Sequence, residues 1–215
     1  MDPWPLIDGI WLAAPGALSP PAPTAGGPAL FLDRDGLLVE EVGYLHRPAD
    51  VRLQPGVAPL LRRAAAAGWA RVVVTNQSGI GRGLYGWAEF AATQVQIEAL
   101  LAAEGAALDL VAACPFHPQA RPPWRAAEHP CRKPRPGMLL LAAERLGLDL
   151  ARSWILGDQA SDMAAGRAAG LAGGGHLATG HGLAERGKAL REARPGYRVL
   201  PFATLLEVPA AFGWD

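Results

Sequence analysis

A short apolar segment that runs directly into two aspartates constrains the fold of this chain most strongly. Ala29–Leu32 is wholly apolar, and Asp33, Asp35 and Gly36 follow it directly. An apolar run that ends at a turn signal is typical of a strand buried on both faces of a parallel α/β sheet. Ligand sites of such sheets lie just beyond the carboxyl ends of the strands, so we expect both carboxylates at a functional edge. Two carboxylates this close repel each other and require a cation, and hard oxygen ligands select Mg²⁺.

The composition supports one sizeable domain and excludes several classes of protein. The chain has 215 residues, half of them hydrophobic, with a formal net charge of zero. That charge gives no global sign of nucleic-acid or membrane binding, and no apolar run reaches the roughly 18 residues that span a bilayer. Two cysteines cannot build a disulfide framework, and no Lys or Arg precedes Arg34 to form the basic start of a signal peptide. We expect a cytoplasmic protein without nucleic-acid or membrane partners.

Residues 1–28 are predicted to form an extended N-terminal arm. The segment is rich in Pro, Gly and Ala, and Pro20, Pro21 and Pro23 exclude a helix there. Its aromatic residues, among them Trp4 and Trp11, are expected on the domain surface. Residues 29–215 are predicted to form the main domain, with a Pro-rich loop insertion over residues 115–134.

Strands and helices are predicted to alternate through the main domain, which implies a parallel sheet with right-handed crossovers. Apolar runs predict strands over residues 29–32, 70–75, 108–114 and 153–157, and residues 170–177 and 197–200 are candidates for a fifth and a sixth strand. Helices are predicted over residues 55–67, 86–104, 137–146 and 163–169, followed by a short C-terminal helix.

Polar residues follow the second and third predicted strands as they do the first. Thr75 and Asn76 open a Gly-rich segment whose hydroxyl, amide and N–H groups can cradle a phosphate. Arg132 and Lys133 close the Pro-rich loop at the start of a helix, which is a favourable place for an anion. Taken singly, the segment after Asn76 is also consistent with an ordinary Gly-rich turn, and the segment at Arg132 and Lys133 with a solvated basic loop.

A second pair of carboxylates, Asp158 and Asp162, follows the fourth strand. Asp158 alone could be a helix cap, but the match with the end of the first strand favours a shared site. A loose phosphoryl transition state needs positioning and charge neutralisation, which these groups would supply. Asp33 is the natural nucleophile for an aspartyl-phosphate, and Asp35 is then the general acid and base.

Four segments resemble, in order, the four motifs of the haloacid dehalogenase (HAD)-like phosphatases: DRDG, VVVTNQSG, CRKPRPGM and GDQASD. The sequences of these motifs are most similar to those of one branch, the D,D-heptose 1,7-bisphosphate phosphatases and histidinol-phosphate phosphatases. That branch also shares Gly43-Tyr44 and the Cys-Pro-x-His-Pro loop. The resemblance covers about residues 29–173. It implies a Rossmann-like three-layer α/β sandwich with a mainly parallel sheet and, given the short insertions, no large cap domain.

The resemblance also implies roles for individual residues. Asp33 is similar to the phosphorylated nucleophile and Asp35 to the general acid and base, while Thr75 holds the phosphate and Lys133 balances the charge. The implied Mg²⁺ ligands are Asp33, the Asp35 carbonyl, Asp158 and Asp162. The resemblance implies that Asn76 and Arg132 bind substrate. His46 and Arg47 are further candidates because their loop follows the first strand and can hold an anionic group, and Gln159 is another because it stands where the family often has Lys.

The activity implied is that of a Mg²⁺-dependent phosphomonoesterase acting on a small phosphorylated metabolite, with the protein a monomer. The first expected substrate is D-glycero-D-manno-heptose 1,7-bisphosphate, which would lose its 7-phosphate, and the second is histidinol phosphate. The alternative is a degenerate member that binds without turnover, because Leu37 and Gln159 replace a usual Thr and Lys. Val39 also departs from the family, where Asn is usual. The intact nucleophile and metal ligands oppose that alternative.

Many phosphatases of this branch hold a structural Zn²⁺ in the loop after the third strand. Here Cys114 and Cys131 match the branch, while His117 and His129 stand near the positions of the other ligands. A Cys₂His₂ set suits tetrahedral Zn²⁺, but the spacing departs from the pattern. A metal-free loop with buried thiols is the alternative.

Overall fold

The computed structural model describes residues 5–14 and 24–214 and shows an α/β sandwich around one eight-stranded sheet. Its strands are β1 (Leu6–Ile7), β2 (Ile10–Ala13), β3 (Ala29–Leu32), β4 (Ala70–Asn76), β5 (Leu110–Cys114), β6 (Trp154–Gly157), β7 (Gly173–Leu177) and β8 (Arg198–Phe202). The helices are α1 (Val57–Ala66), α2 (Ser78–Arg82), α3 (Trp87–Ala103), α4 (Gly137–Leu146), α5 (Ala160–Ala168), α6 (Gly182–Leu190) and α7 (Val208–Phe212). Short 3-10 turns lie at Pro48–Asp50, Leu150–Arg152 and Leu205–Glu207.

The sheet places β3 at its centre, in the order β1-β2-β5-β4-β3-β6-β7-β8. β3 to β8 pair in parallel, and Leu32 lies level with Val73 on one side and Leu156 on the other. The chain builds outward from β3 to β5 and then crosses back to β6 on the opposite side of β3. In open α/β sheets the ligand crevice opens at this reversal of strand order, outside the carboxyl ends. The fold therefore puts the residues after β3 at the mouth of that crevice.

The hydrophobic core lies in two layers, one on each face of the sheet. Leu30 and Leu32 point into the layer covered by α1, α3 and α7, while Ala29 and Phe31 point into the layer covered by α4, α5 and α6. All four side chains are fully buried, as expected for a strand with helices on both faces. The predicted three-layer α/β fold is confirmed.

The predicted elements of the main domain are present, and most of their ends shift by one to three residues. Helix α5 begins at Ala160, three residues before the predicted start, because Gln159 lies at its N-cap and the Asp162 carboxylate accepts the Gln159 N–H at 3.1 Å. The predicted Gly-rich loop after β4 contains the short helix α2, and α6 was not predicted from the sequence. Within the described part of the chain no helix has both the length and the apolar character to cross a bilayer.

The N-terminal segment departs from the expectation of an arm with exposed aromatic residues. Strands β1 and β2 form an antiparallel hairpin, and β2 pairs with β5, with Trp11 opposite Ala113. Trp11 is only 7% exposed, so its predicted place on the surface is wrong. Trp4 lies outside the described residues. The division of the chain at residue 28 stays a prediction, although β1 and β2 extend the sheet of the main domain.

We predict that Trp11→Ala lowers the free energy of unfolding by about 3–5 kcal/mol, the usual loss for a large buried aromatic. The indole packs against Trp87 and Phe90 of α3, with ring centroids 5.6 and 5.2 Å away, so truncation leaves a cavity under the sheet edge. Chemical denaturation measures the change. Ile7→Ala on β1, where the side chain is 45% exposed, is the control and should change stability by less than about 0.5 kcal/mol. Equal small effects would show that the hairpin does not pack on α3 in solution.

Candidate active site

Three carboxylates meet at the carboxyl ends of β3 and β6. Asp33, Asp158 and Asp162 are buried, and each offers an oxygen within 4.8 Å of the others. The Asp33 N–H donates to the Leu156 carbonyl (3.0 Å), which continues the β3–β6 pairing into the site. We call these three residues the acidic cluster. The structure thus brings together the nucleophile and two of the metal ligands predicted from the sequence.

Lys133 is the cation of the acidic cluster and is itself buried. Its Nζ lies 2.8 Å from Asp33 Oδ1 and 2.6 Å from Asp162 Oδ1, and it donates to the Val74 carbonyl at 2.8 Å. Two carboxylates and one carbonyl thus surround the ammonium group. Burial lowers the pKa of Lys133, but the two carboxylates outweigh burial and raise it, so the side chain stays charged.

The acidic cluster carries more negative charge than Lys133 neutralises. Burial raises the pKa of Asp33 to about 8, although Lys133 opposes the shift, and burial raises the pKa of Asp158 to about 6. Desolvation disfavours the charged form of a carboxylate, and a bound cation removes that penalty. The electrostatics of the cluster therefore favour a cation between the carboxylates.

Asp158 provides a direct test of whether the cluster fits Mg²⁺. Its Oδ2 accepts the His181 N–H at 2.7 Å, whereas its buried Oδ1 has no hydrogen-bond partner among the residues that the structure describes. A Cβ at Gly36 or Gly180 would lie 2.5 or 2.2 Å from Oδ2, and both glycines have positive φ, so these positions require glycine. A buried carboxylate oxygen without a donor is costly unless it binds a metal, and oxygen ligands suit Mg²⁺. The acidic cluster fits the ion.

Thr75 and Asn76 end β4, the strand that pairs with β3, and line the same cavity as Asp33. Thr75 is buried and its hydroxyl lines the same cavity as Asp33. The Asn76 side chain exchanges two hydrogen bonds of 3.1 Å with the backbone of Lys133. Asn76 therefore holds the segment that carries Lys133, which leaves one of its two amide hydrogens for a phosphate.

Asp35 lies in a buried network that was not predicted from the sequence. Arg34 is fully buried and donates to both carboxylate oxygens of Asp35 at 2.9–3.2 Å. Gln77 Nε2 donates to Asp35 Oδ2 and to Thr75 Oγ1, each at 2.8 Å, and the Tyr85 hydroxyl donates to Gln77 Oε1. Burial raises the pKa of Tyr85, so its hydroxyl keeps the proton it donates. A charged residue between two aspartates at a strand end was the available signal for Arg34.

A cavity of about 360 Å³ opens onto these groups. Glu41, Tyr44, Ser161 and His181 also line it and were not predicted as site residues. The predicted residues that line it are Asp33, Asp35, Thr75, Asn76, Arg132, Lys133, Gln159 and Asp162.

Two predicted substrate-binding residues, His46 and Arg47, do not line the cavity. The His46 ring stacks on Tyr85, with centroids 5.4 Å apart, and its Nδ1 lies 2.7 Å from the Tyr44 carbonyl. Arg47 is exposed and precedes the first 3-10 turn. Tyr44 of the same loop, which has a positive φ, lines the cavity instead.

Comparisons with known proteins agree with this geometry. A family model described as HAD-hydrolase-like matches residues 130–202. A D-glycero-beta-D-manno-heptose-1,7-bisphosphate 7-phosphatase of Mesorhizobium japonicum is 45% identical over 193 residues, which cover 89% of this chain and 87% of that protein. The chain belongs to the haloacid dehalogenase-like phosphatases.

Further members of this family are similar in sequence and in structure. A heptose-1,7-bisphosphate 7-phosphatase of Escherichia coli K12 is 41% identical over 144 residues, 67% of this chain and 75% of that one. The crystal structure of a HAD-like phosphatase of Mesorhizobium loti superposes with a TM-score of 0.84 at 39% identity, covering 99% of this chain and 96% of that one. The D,D-heptose 1,7-bisphosphate phosphatase of B. bronchiseptica, complexed with magnesium and phosphate, gives 0.71 at 31% identity, with coverages of 86% and 97%.

The four side chains predicted to bind zinc do not come together into a metal site in the folded phosphatase. Cys114 is buried in β5, where burial raises its pKa to about 12, and the His129 ring stacks on Phe116 with centroids 3.6 Å apart. Among the residues described, the acidic cluster is the only group of three or more potential metal ligands within 4.8 Å of one another. The structure gives the zinc prediction at Cys114, His117, His129 and Cys131 no support, because sequence spacing does not fix the directions of the side chains.

The departures from the usual family pattern have different structural settings. Leu37 and Val39 are fully buried and belong to the core beneath α1 and α3, so they add apolar packing. Gln159 lines the cavity at the N-cap of α5. The acidic cluster and Lys133 are intact beside these changes.

We predict that Mg²⁺ stabilises the wild-type protein and that Asp158→Asn abolishes this stabilisation. An ion that binds only the folded state adds about 2.7 kcal/mol at a free concentration of 100 times its Kd, and Asp158→Asn weakens the ligand set. Thermal unfolding with and without MgCl₂ measures the effect. Asp50→Asn in the first 3-10 turn is the matched control and should keep the full Mg²⁺ shift. The same shift in wild type and Asp158→Asn would contradict a metal site at the acidic cluster.

Proposed function

We propose that this phosphatase removes the 7-phosphate of D-glycero-D-manno-heptose 1,7-bisphosphate through a Mg²⁺-dependent, aspartyl-phosphate mechanism. The observation that carries the proposal is the buried Asp33, held by Lys133 within the acidic cluster at the end of β3. The names of the relatives supply the substrate. The cavity volume, about 360 Å³, falls in the range of roughly 300–1,000 Å³ usual for small-molecule sites.

In the first half-reaction an Asp33 carboxylate oxygen attacks phosphorus, and the bond between phosphorus and the sugar oxygen breaks. The electron pair goes to the sugar oxygen, which takes a proton from Asp35 and leaves as the alcohol. The Arg34 N–H and Lys133 Nζ both contact Asp33 Oδ1 at 2.8 Å and fix the orientation of the nucleophile. Thr75 and Asn76 hold the transferring phosphate.

In the second half-reaction water attacks phosphorus of the aspartyl-phosphate. Asp35 takes a proton from this water, the bond between phosphorus and Asp33 breaks, and inorganic phosphate leaves with the Asp33 carboxylate regenerated. Lys133 stays paired with the carboxylates and balances the charge of the phosphoryl group. Mg²⁺ held by Asp33, Asp158, Asp162 and the Asp35 carbonyl would neutralise phosphate charge.

Arg132 is the residue we assign to the phosphate that stays on the sugar. It lines the cavity, it is partly buried, and its Nη1 donates to the Phe116 carbonyl at 3.0 Å, which leaves further guanidinium donors. A planar guanidinium recognises phosphate through paired hydrogen bonds. This placement supports a bisphosphate over histidinol phosphate, which carries a single phosphate. The cytoplasmic location and the monomeric state stay predictions.

We predict that the protein releases phosphate from heptose 1,7-bisphosphate in the presence of Mg²⁺ and that Asp33→Asn abolishes release. The amide cannot form the aspartyl-phosphate, so activity should fall by at least about 10³-fold. A phosphate-release assay with the bisphosphate and histidinol phosphate side by side measures both points. Trapping wild-type Asp33 with beryllofluoride separates an active enzyme from a binding protein. Turnover that persists in Asp33→Asn would exclude the proposed nucleophile, and a preference for histidinol phosphate would exclude the proposed substrate.

We predict that Arg132→Ala raises KM for the bisphosphate by about 10-fold or more, since a hydrogen bond to a charged group contributes roughly 1.5–3 kcal/mol. KM for p-nitrophenyl phosphate, which has no second phosphate, should change little. Steady-state kinetics on both substrates gives the comparison. Arg135→Ala is the matched control, because that side chain is 44% exposed and pairs with Glu128 outside the cavity. An equal rise in KM for both substrates would contradict a role limited to the distal phosphate.

A further inference from the structure

Gln77 lies at the centre of the network between the general acid and the phosphate-binding hydroxyl. It is 2% exposed, directly follows β4, and contacts four polar side chains. Its amide nitrogen faces Asp35 and Thr75, and its amide oxygen faces Arg34 and Tyr85. A buried glutamine with satisfied hydrogen bonds is often only structural, so what matters is which groups it holds.

The chemistry of its neighbours determines which way the Gln77 amide points. Arg34 can only donate hydrogen bonds, so the atom that it contacts at 3.2 Å must be the amide oxygen. With the oxygen on Arg34, the amide nitrogen lies 2.8 Å from Asp35 Oδ2 and donates to it. The reverse orientation would set donor against donor and acceptor against acceptor. The amide is therefore held in one orientation.

Both hydrogens of the amide are used within the protein, one on Asp35 Oδ2 and one on Thr75 Oγ1. Although Gln77 lines the cavity, it has no hydrogen left to donate to a substrate. Because Thr75 Oγ1 accepts from Gln77, the Thr75 hydroxyl hydrogen remains for a phosphate oxygen. The same amide donates to Asp35 Oδ2, which also accepts from Arg34.

We propose that Gln77 is a positioning residue that aligns the general acid Asp35 and orients the Thr75 hydroxyl toward the transferring phosphate. The proposal rests on the proposed phosphatase mechanism and adds a residue that acts through its two neighbours. Tyr85 acts one step further away, by fixing the amide of Gln77, whereas Arg34 contacts both that amide and the Asp35 carboxylate. The Asp35 side chain is 22% exposed at the cavity, so without the amide Arg34 alone would hold its carboxylate against solvent.

The test uses two substrates whose leaving groups differ in their need for a proton. A sugar alkoxide needs protonation as it leaves, whereas p-nitrophenolate leaves without it. General acid catalysis contributes about 10²–10⁴-fold, so we expect Gln77→Met to lower kcat/KM for the bisphosphate about 10²-fold. The loss for p-nitrophenyl phosphate should be at least about tenfold smaller, because only the Thr75 contact is disturbed. The parameter kcat/KM reports the steps up to phosphorylation of Asp33, so the rate of hydrolysis of the aspartyl-phosphate does not affect it.

Gln94→Met is the matched control, because Gln94 is another buried glutamine and lies on α3 outside the cavity lining. It should leave kcat/KM for both substrates within about twofold of wild type. Equal losses on the two substrates in Gln77→Met, or no loss on either, would overturn the proposal. If circular dichroism shows that Gln77→Met does not fold, Tyr85→Phe carries the test. It removes one group that fixes the amide and should give the same unequal pattern at smaller size.

The wild-type rates separate failure of this inference from failure of the proposed function. Wild-type turnover of p-nitrophenyl phosphate without turnover of the bisphosphate would reject the sugar substrate alone. The comparison then uses an alkyl phosphate that the wild-type protein hydrolyses, since any alkoxide leaving group needs the proton. Unequal losses would still support the positioning role of Gln77, and equal losses would still reject it.

Discussion

The charge balance around Lys133 is the interaction on which the rest of the site depends. Three buried carboxylates at the ends of β3 and β6 cannot remain ionised together without cations, because desolvation and mutual repulsion both oppose their charge. Lys133 supplies one fixed positive charge, and its three contacts leave it no freedom to turn. The remaining negative charge creates the demand for a divalent ion. The same excess of charge that opposes ionisation of the carboxylates favours a divalent cation between them.

The fold serves this balance by bringing distant segments to one edge of the sheet. Asp33 and Asp158 follow neighbouring strands, so the pairing of β3 with β6 sets their separation. Lys133 follows a long irregular loop, so strand pairing does not fix its position along the edge of the sheet. The paired hydrogen bonds of Asn76 with the Lys133 backbone connect that loop to the end of β4. These hydrogen bonds fix the position of Lys133 relative to β4.

Residues at strand ends could be predicted from the sequence because two general rules suffice for them. Buried apolar runs locate the strands, and parallel strands bring their carboxyl ends together. Trp11 and the zinc prediction show where these rules stop. The partner of Trp11 is Ala113, a hundred residues away, and nothing local signals that pairing. The loop cysteines and histidines have suitable chemistry, but the directions of their side chains depend on contacts such as the stacking of His129 on Phe116. The Gln77 network depends likewise on several segments that meet only in the folded chain.

The two aspartates of the first motif are held in electrostatically different ways, and this difference explains the choice of residues around them. Asp33 contacts a lysine that is shared with Asp162, so its charge is balanced within a cluster that also needs a metal. Asp35 already has the bidentate Arg34 as a neutralising partner. The neutral amide of Gln77 adds a directional donor without adding charge. The charge of Asp35 is thereby balanced by Arg34, while the amide of Gln77 adds only to the direction in which the carboxylate is held.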